Sequence, residues 1–66
     1  MQLIHVKIAG SGGQSACINI DNISLILSHI SGGTIINFTG GPDDYCHVQE
    51  DMGDIIRQIE AVQCNQ

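Results

Sequence analysis

Apolar and polar positions alternate along the chain in short bursts, each ended by small or turn-forming residues, and one helical stripe closes the sequence. Over residues 3–9, Ile4, Val6 and Ile8 take one face while His5 and Lys7 take the other, the two-residue period of a half-buried strand. Gly10-Ser11-Gly12-Gly13 supplies a flexible turn. A second strand is expected over 16–20, with Ala16, Ile18 and Ile20 inward and Cys17 and Asn19 outward. The short side chains of Asp21 and Asn22 suit a local Asx-type turn, after which a third strand is expected over 23–30. Ser31-Gly32-Gly33 returns the chain into a fourth strand over 34–39, rich in β-branched residues. Ile35 and Ile36 are neighbours there, so one of them must lie on the face opposite the core. Gly40-Gly41-Pro42-Asp43-Asp44 forms the next turn, and a short fifth strand is expected over 45–49.

The spacing then changes from two to between three and four. Met52, Ile55, Ile56, Ile59 and Val62 make one apolar stripe, which predicts a helix over 52–62. Asp51 can act as N-cap with Asp54 three residues on, a carboxylate version of the capping box. Acids at positions 50, 51 and 54 also complement the positive end of the helix dipole. Arg57, Gln58, Glu60 and Gln63 are left for solvent. The fold class is therefore α+β: five short antiparallel strands, as a curved sheet or small barrel, followed by one C-terminal helix, in a single domain over 1–66.

Size changes the picture first. A 66-residue chain buries only about 60% of the surface its unfolded form exposes, so core burial barely offsets conformational entropy and further support is expected. Disulfides, a metal and self-association are the candidates. The composition is 42% hydrophobic, too apolar for a disordered tail. No apolar run approaches the roughly 18 residues of a membrane span. The start Met1-Gln2-Leu3-Ile4-His5 has neither the basic residues nor the apolar stretch of a signal peptide, so a cytoplasmic location is expected.

Charge is the second informative feature. Seven acids against Lys7 and Arg57 give a formal charge of −5. Residues 1–42 carry only Lys7 and Asp21, whereas Asp43, Asp44, Glu50, Asp51, Asp54 and Glu60 follow. A charge-poor strand region is solvated by its Ser, Thr, Asn, Gln and Gly, or it is covered by another subunit or a partner, because interface cores are depleted in charge. The size argument favours cover, and a homo-oligomer, most simply a dimer, is expected. Direct binding to a nucleic-acid backbone is not, since phosphate contacts need clustered Lys and Arg.

Candidate chemistry is sparse. Cys17, Cys46 and Cys64 are an odd number, which without a signal peptide points to reduced thiols rather than a disulfide framework. His5, His29 and His47 with the cysteines invite a metal reading, but paired ligands at C-x2–4-C or H-x3–5-H spacing do not occur. Cys46 and His47 are adjacent in a strand and point to opposite faces; a tertiary site from His5, Cys17 and His47 stays open. A Cys/His nucleophilic pair needs a cleft and an oxyanion site, and neither is legible. The glycine-rich turn at 10–13 opens onto a strand, not onto the helix N-terminus a phosphate loop requires. No catalytic residue, metal site or cofactor is expected. His5, Lys7, Asn37, Tyr45 and His47 fall on outward strand faces and are the candidate partner contacts. Phe38 is expected in the core.

The order of elements resembles the small flagellar FlbD-type proteins. Val48-Gln49-Glu50-Asp51-Met52-Gly53-Asp54-Ile55-Ile56-Arg57-Gln58-Ile59 is similar to their V-x-E-S-x-E-E-V-I-x-x-I end. Ile18-Asn19-Ile20-Asp21-Asn22-Ile23 is similar to their L-N-P-D-L-I stretch, and Gly33-Thr34-Ile35-Ile36 sits where they have D-T-V-I. Ile20 replaces their Pro and Asp51 their capping Ser. The resemblance covers nearly the whole chain and implies a small bacterial or phage accessory protein without catalytic residues. Carbon-storage regulators also end five strands with a helix, but they bind RNA through basic residues at the sheet edge that this chain lacks.

The expected function is a non-enzymatic binding or interaction module acting as a homo-oligomer, with another protein as a further partner. The alternative is a phage-encoded inhibitor of host defence, placed in the host cytoplasm, that blocks a basic nucleic-acid-binding protein surface or sequesters a small signalling nucleotide. A third class is a minor hydrolase or redox protein using Cys17 or Cys46.

Overall fold

Alternation is realised first as a hairpin. In the computed structural model, which describes residues 2–10 and 12–64, β1 (Leu3–Lys7) pairs antiparallel with β2 (Ser15–Asn19). Ile4 lies opposite Ile18 and Val6 opposite Ala16, all facing inward. Their turn at 10–13 includes Ser11, which lies outside the described residues. A short 3₁₀ turn, Ile20–Asn22, follows. Here the Asx residue is Asn19, whose side chain accepts from the Asp21 amide at 3.1 Å, rather than Asp21 or Asn22. The turn takes Ile20 out of β2, and the Ile20 amide donates instead to the Gln2 carbonyl.

β3 (Ile23–Ser28), β4 (Thr34–Phe38) and β5 (Tyr45–Val48) form a second antiparallel sheet in that order. The hairpin around Gly32-Gly33 closes with the His29 amide donating to the Gly33 carbonyl, which ends β3 before His29 and Ile30. The two sheets meet at one corner. Ile8 bridges Val48, the Ala9 amide donates to His47 and the Gln49 amide donates to Lys7. These bonds carry β1 past Lys7 as a splice rather than a ladder.

The sheets curve around one core but do not close into a barrel. β2 and β3 are free edges, and the Thr39 amide, donating to the Asn22 carbonyl, extends the β3–β4 pairing rather than joining those edges. The 3₁₀ turn stands between β2 and β3, which belong to different sheets.

The core is Ile4, Val6, Ile18, Ile36, Val48 and Ile55, with Phe38, Ile26 and Cys46 packed against it. Burying each such aliphatic side chain contributes about 1.5–3 kcal/mol. Thr34 is wholly buried too, and its hydroxyl is satisfied by donating to the Glu50 carbonyl at 2.7 Å. The helix α1 (Met52–Cys64) covers the open side, resting on β1 and β3. It runs two residues past the 52–62 expected from the apolar stripe; Asn65 and Gln66 lie outside the described residues. Asp51 caps it, accepting from the Asp54 amide at 2.8 Å, while the Asp54 carboxylate turns to Arg57. Ile55 is fully buried but Ile56 is 44% exposed, because the helix meets the sheets along a line too narrow for both. The helix does not leave Gln58 to solvent. Its side-chain oxygen accepts from the His5 amide at 2.9 Å and its nitrogen donates to the His5 carbonyl at 2.8 Å, sealing the outer edge of β1.

Candidate functional site: an uncharged sheet face

The outer face of β3–β4–β5 is where expected contacts converge. Alternation alone would place Ile23, Leu25 and Leu27 on one face. A register shift between Ile23 and Leu25 breaks that parity, so Ile23 and Ile26 pack inward while Leu25 and Leu27 point outward. Such bulges insert a residue and re-aim the side chains that follow. The Ser24 hydroxyl lies 3.3 Å from the carbonyls of both Asn37 and Phe38 at this irregularity.

Two cross-strand rows result: Leu25–Asn37–Tyr45 and Leu27–Ile35–His47. Leu25, Leu27 and Tyr45 are 51%, 47% and 59% exposed, and Ile30 at the hairpin tip is completely so. None of these side chains bears a formal charge. Asp43 and Asp44 lie in the turn at one end of β5, and at the other end His29 stacks on His47 with ring centroids 4.2 Å apart.

The histidine pair is fixed by its surroundings. The Ser31 amide can only donate, so the His29 Nδ1 it reaches at 3.1 Å is an unprotonated acceptor. The Ser31 hydroxyl contacts the same atom at 2.7 Å. The Gly32 carbonyl can only accept, so His47 Nε2, 3.0 Å away, carries a hydrogen.

Of the five candidate contacts, Asn37, Tyr45 and His47 share this face. His5 and Lys7 do not: they lie on the exposed face of β1 in the other sheet. There His5 opposes Cys17, with Nδ1 and Sγ 3.3 Å apart. The close approach follows from the ladder, since the His5 backbone bonds to Gln58 and leaves His5–Cys17 a non-hydrogen-bonded pair, the kind whose side chains sit nearest. His47 is not brought to this pair, so the tertiary site read from the sequence does not assemble. Among the described residues no group of three His, Cys, Asp or Glu is placed to hold a metal ion. Cys46 faces inward, and burial pushes its thiol above the usual range. The Lys7 amide is held by both carboxylate oxygens of Glu50, at 3.0 and 3.1 Å.

Leu25, Leu27 and His29 were not legible as members of the face. The three consecutive apolar residues Leu25-Ile26-Leu27 were the available signal, since such a run must put apolar side chains on both sides of a strand. Surface depressions beside the face are open grooves; the one next to Leu25 and Asn37 holds about 500 Å³. No described helix is long and apolar enough to cross a membrane. No protein-family model, curated protein or solved structure matches the chain. The FlbD-type resemblance rests on the quoted motifs alone.

Proposed function

We propose that the protein is a non-enzymatic interaction module that works as a homo-oligomer, most simply a dimer, through the outer face of β3–β4–β5. The observation that carries this reading is the exposure of Leu25, Leu27, Ile30 and Tyr45 on a surface without formal charge, in a chain of charge −5.

A second copy fits that surface for two reasons. Among the described residues the core holds six buried apolar side chains, which is thin for independent stability, and covering the outer face adds burial of the same kind. Two chains of charge −5 also repel, so they meet with least penalty where neither carries charge. The helix and its acids, Asp51, Asp54 and Glu60, stay in solvent in such an assembly. A basic partner would be drawn to those acids instead. The FlbD-type resemblance is compatible with a small bacterial or phage accessory protein built in this way.

Sedimentation velocity of the native chain and of Leu27→Glu tests the reading. Leu27 is half exposed, so the glutamate is accommodated in a single subunit. The native chain is expected to sediment as a dimer at micromolar concentration and Leu27→Glu as a monomer with an unchanged far-UV spectrum. A native monomer, or a Leu27→Glu dimer as tight as the native one, overturns it.

A further inference from the structure

We propose that the stacked pair His29–His47 makes this self-association sensitive to protonation, with the dimer favoured when both rings are neutral and weakened by acid. The inference rests on the homodimer reading above and adds its regulation.

The hydrogen bonds fix which ring atoms carry hydrogen. His29 Nδ1 is committed as an acceptor for the Ser31 amide, so a proton there breaks the hydrogen bonding of the hairpin tip. His47 donates from Nε2 to the Gly32 carbonyl and can take a proton on Nδ1 without losing that bond. A second positive ring 4.2 Å away is then disfavoured by like charge. A proton taken up by the pair therefore places a positive charge at the end of the Leu27–Ile35–His47 row. Covering that row in a dimer strips water from the charge, which is unfavourable unless it is paired.

Few other groups face the pair. Tyr45 is the other titratable side chain on this face, two residues away on β5, and Cys46 between them points inward. From β1, Ala9 lies beside His47 and Lys7 beside Gln49, with Glu50 engaged on the Lys7 amide. Asp43 and Asp44 are at the opposite end of β5. No carboxylate of the same subunit is hydrogen-bonded to either ring among the described residues.

The sign of the effect separates it from general electrostatics. The carboxylates stay ionised as pH falls from about 8 to about 5.5, so the positive charge gained is histidine's, and a proton gained away from this face only lowers the repulsion between acidic copies. The histidine pair acts in the opposite direction over the range in which imidazoles titrate. One proton taken up per subunit on dissociation raises the dissociation constant by up to about 100-fold per pH unit at the steepest point, and at least about tenfold is expected across the interval.

The test is sedimentation equilibrium of the full chain at about pH 8 and about pH 5.5, beside His29→Asn/His47→Gln. Asn keeps an acceptor near the Nδ1 position and Gln a donor near the Nε2 position. The native dimer is expected to weaken at least about tenfold in acid, and the double variant to hold its affinity or gain some. Should the variant not fold, the C2 proton shifts of the native histidines supply the second readout. Their titration is expected to move to lower pH as protein concentration rises, since proton release and dimerisation are reciprocal. A native dimer equally tight or tighter in acid, or histidine titrations indifferent to concentration in a dimerising sample, overturns this inference alone. A native monomer at pH 8 overturns the dimer reading and this inference with it.

Discussion

Adding one methyl group at Gly33 should come close to unfolding the protein, whereas the same change at the neighbouring Gly32 should not. Both residues have positive φ, +80° at Gly33 and +106° at Gly32, where an L side chain is strained by about 1–2 kcal/mol. They differ in what surrounds them. A Cβ at Gly32 meets nothing within 4 Å, while one at Gly33 falls 2.2 Å from the Val48 carbonyl oxygen and 3.1 Å from His47 Nε2. The first of these atoms is backbone inside the β4–β5 ladder, so relief requires the strands to part, at a further cost of about 1–3 kcal/mol or more. Gly32→Ala is thus expected to lose about 1–2 kcal/mol and Gly33→Ala about 3–5 kcal/mol. A chain of 66 residues has about 3–10 kcal/mol of total stability. Urea unfolding followed by circular dichroism reads the difference. With a slope near 1 kcal/mol per molar, the Gly32→Ala midpoint falls by about 1–2 M and the Gly33→Ala midpoint by about 3 M or more. Equal midpoints for the two variants would refute the close approach of β5 to the hairpin on which the histidine pair depends.

Four further outcomes rest on single contacts or on the burial of one side chain. Asp51→Ala removes the cap on the Asp54 amide and should cost about 1 kcal/mol, read as a melting temperature lower by about 4–8 °C. Gln58→Ala opens the clamp on the His5 backbone, so the His5 amide should exchange faster with solvent and stability should fall by about 1 kcal/mol. Cys17 is exposed whereas burial raises the Cys46 thiol above its ordinary 9.0, so iodoacetamide at pH 8 should modify Cys17 before Cys46, by peptide mapping. The same burial makes the neutral Cys46 thiol the native form; its contribution is intact below pH 9.0 and is lost as pH rises beyond it, so alkaline destabilisation should be smaller in Cys46→Ala.

Most of the fold was legible because its signals are local. Alternation placed Ile4, Val6 and Ile18 in the core, the Gly32-Gly33 pair placed the hairpin, and Asp51 placed the start of the helix. What stayed hidden depends on tertiary geometry. The bulge at Ile23–Leu25 reverses the strand's faces without changing its composition, which concealed Leu25 and Leu27 as surface residues. Ile56 fits a helical stripe as well as Ile55 does, and only the narrow contact with β1 and β3 decides between them. The pairing of His29 with His47 joins residues 18 positions apart through the hairpin tip, and no spacing rule announces it. His5 and Lys7 were outward, as their alternation implied, but on the other sheet, because five strands split at the 3₁₀ turn into two surfaces.

The central claim, that the uncharged face of β3–β4–β5 meets its own copy, is tested most directly by native mass spectrometry of the reduced protein at micromolar concentration near neutral pH. A species of twice the 7.1 kDa chain mass, without added mass, is the predicted result. A spectrum containing the single chain alone would contradict it and leave Leu25, Leu27 and Tyr45 without the cover proposed for them.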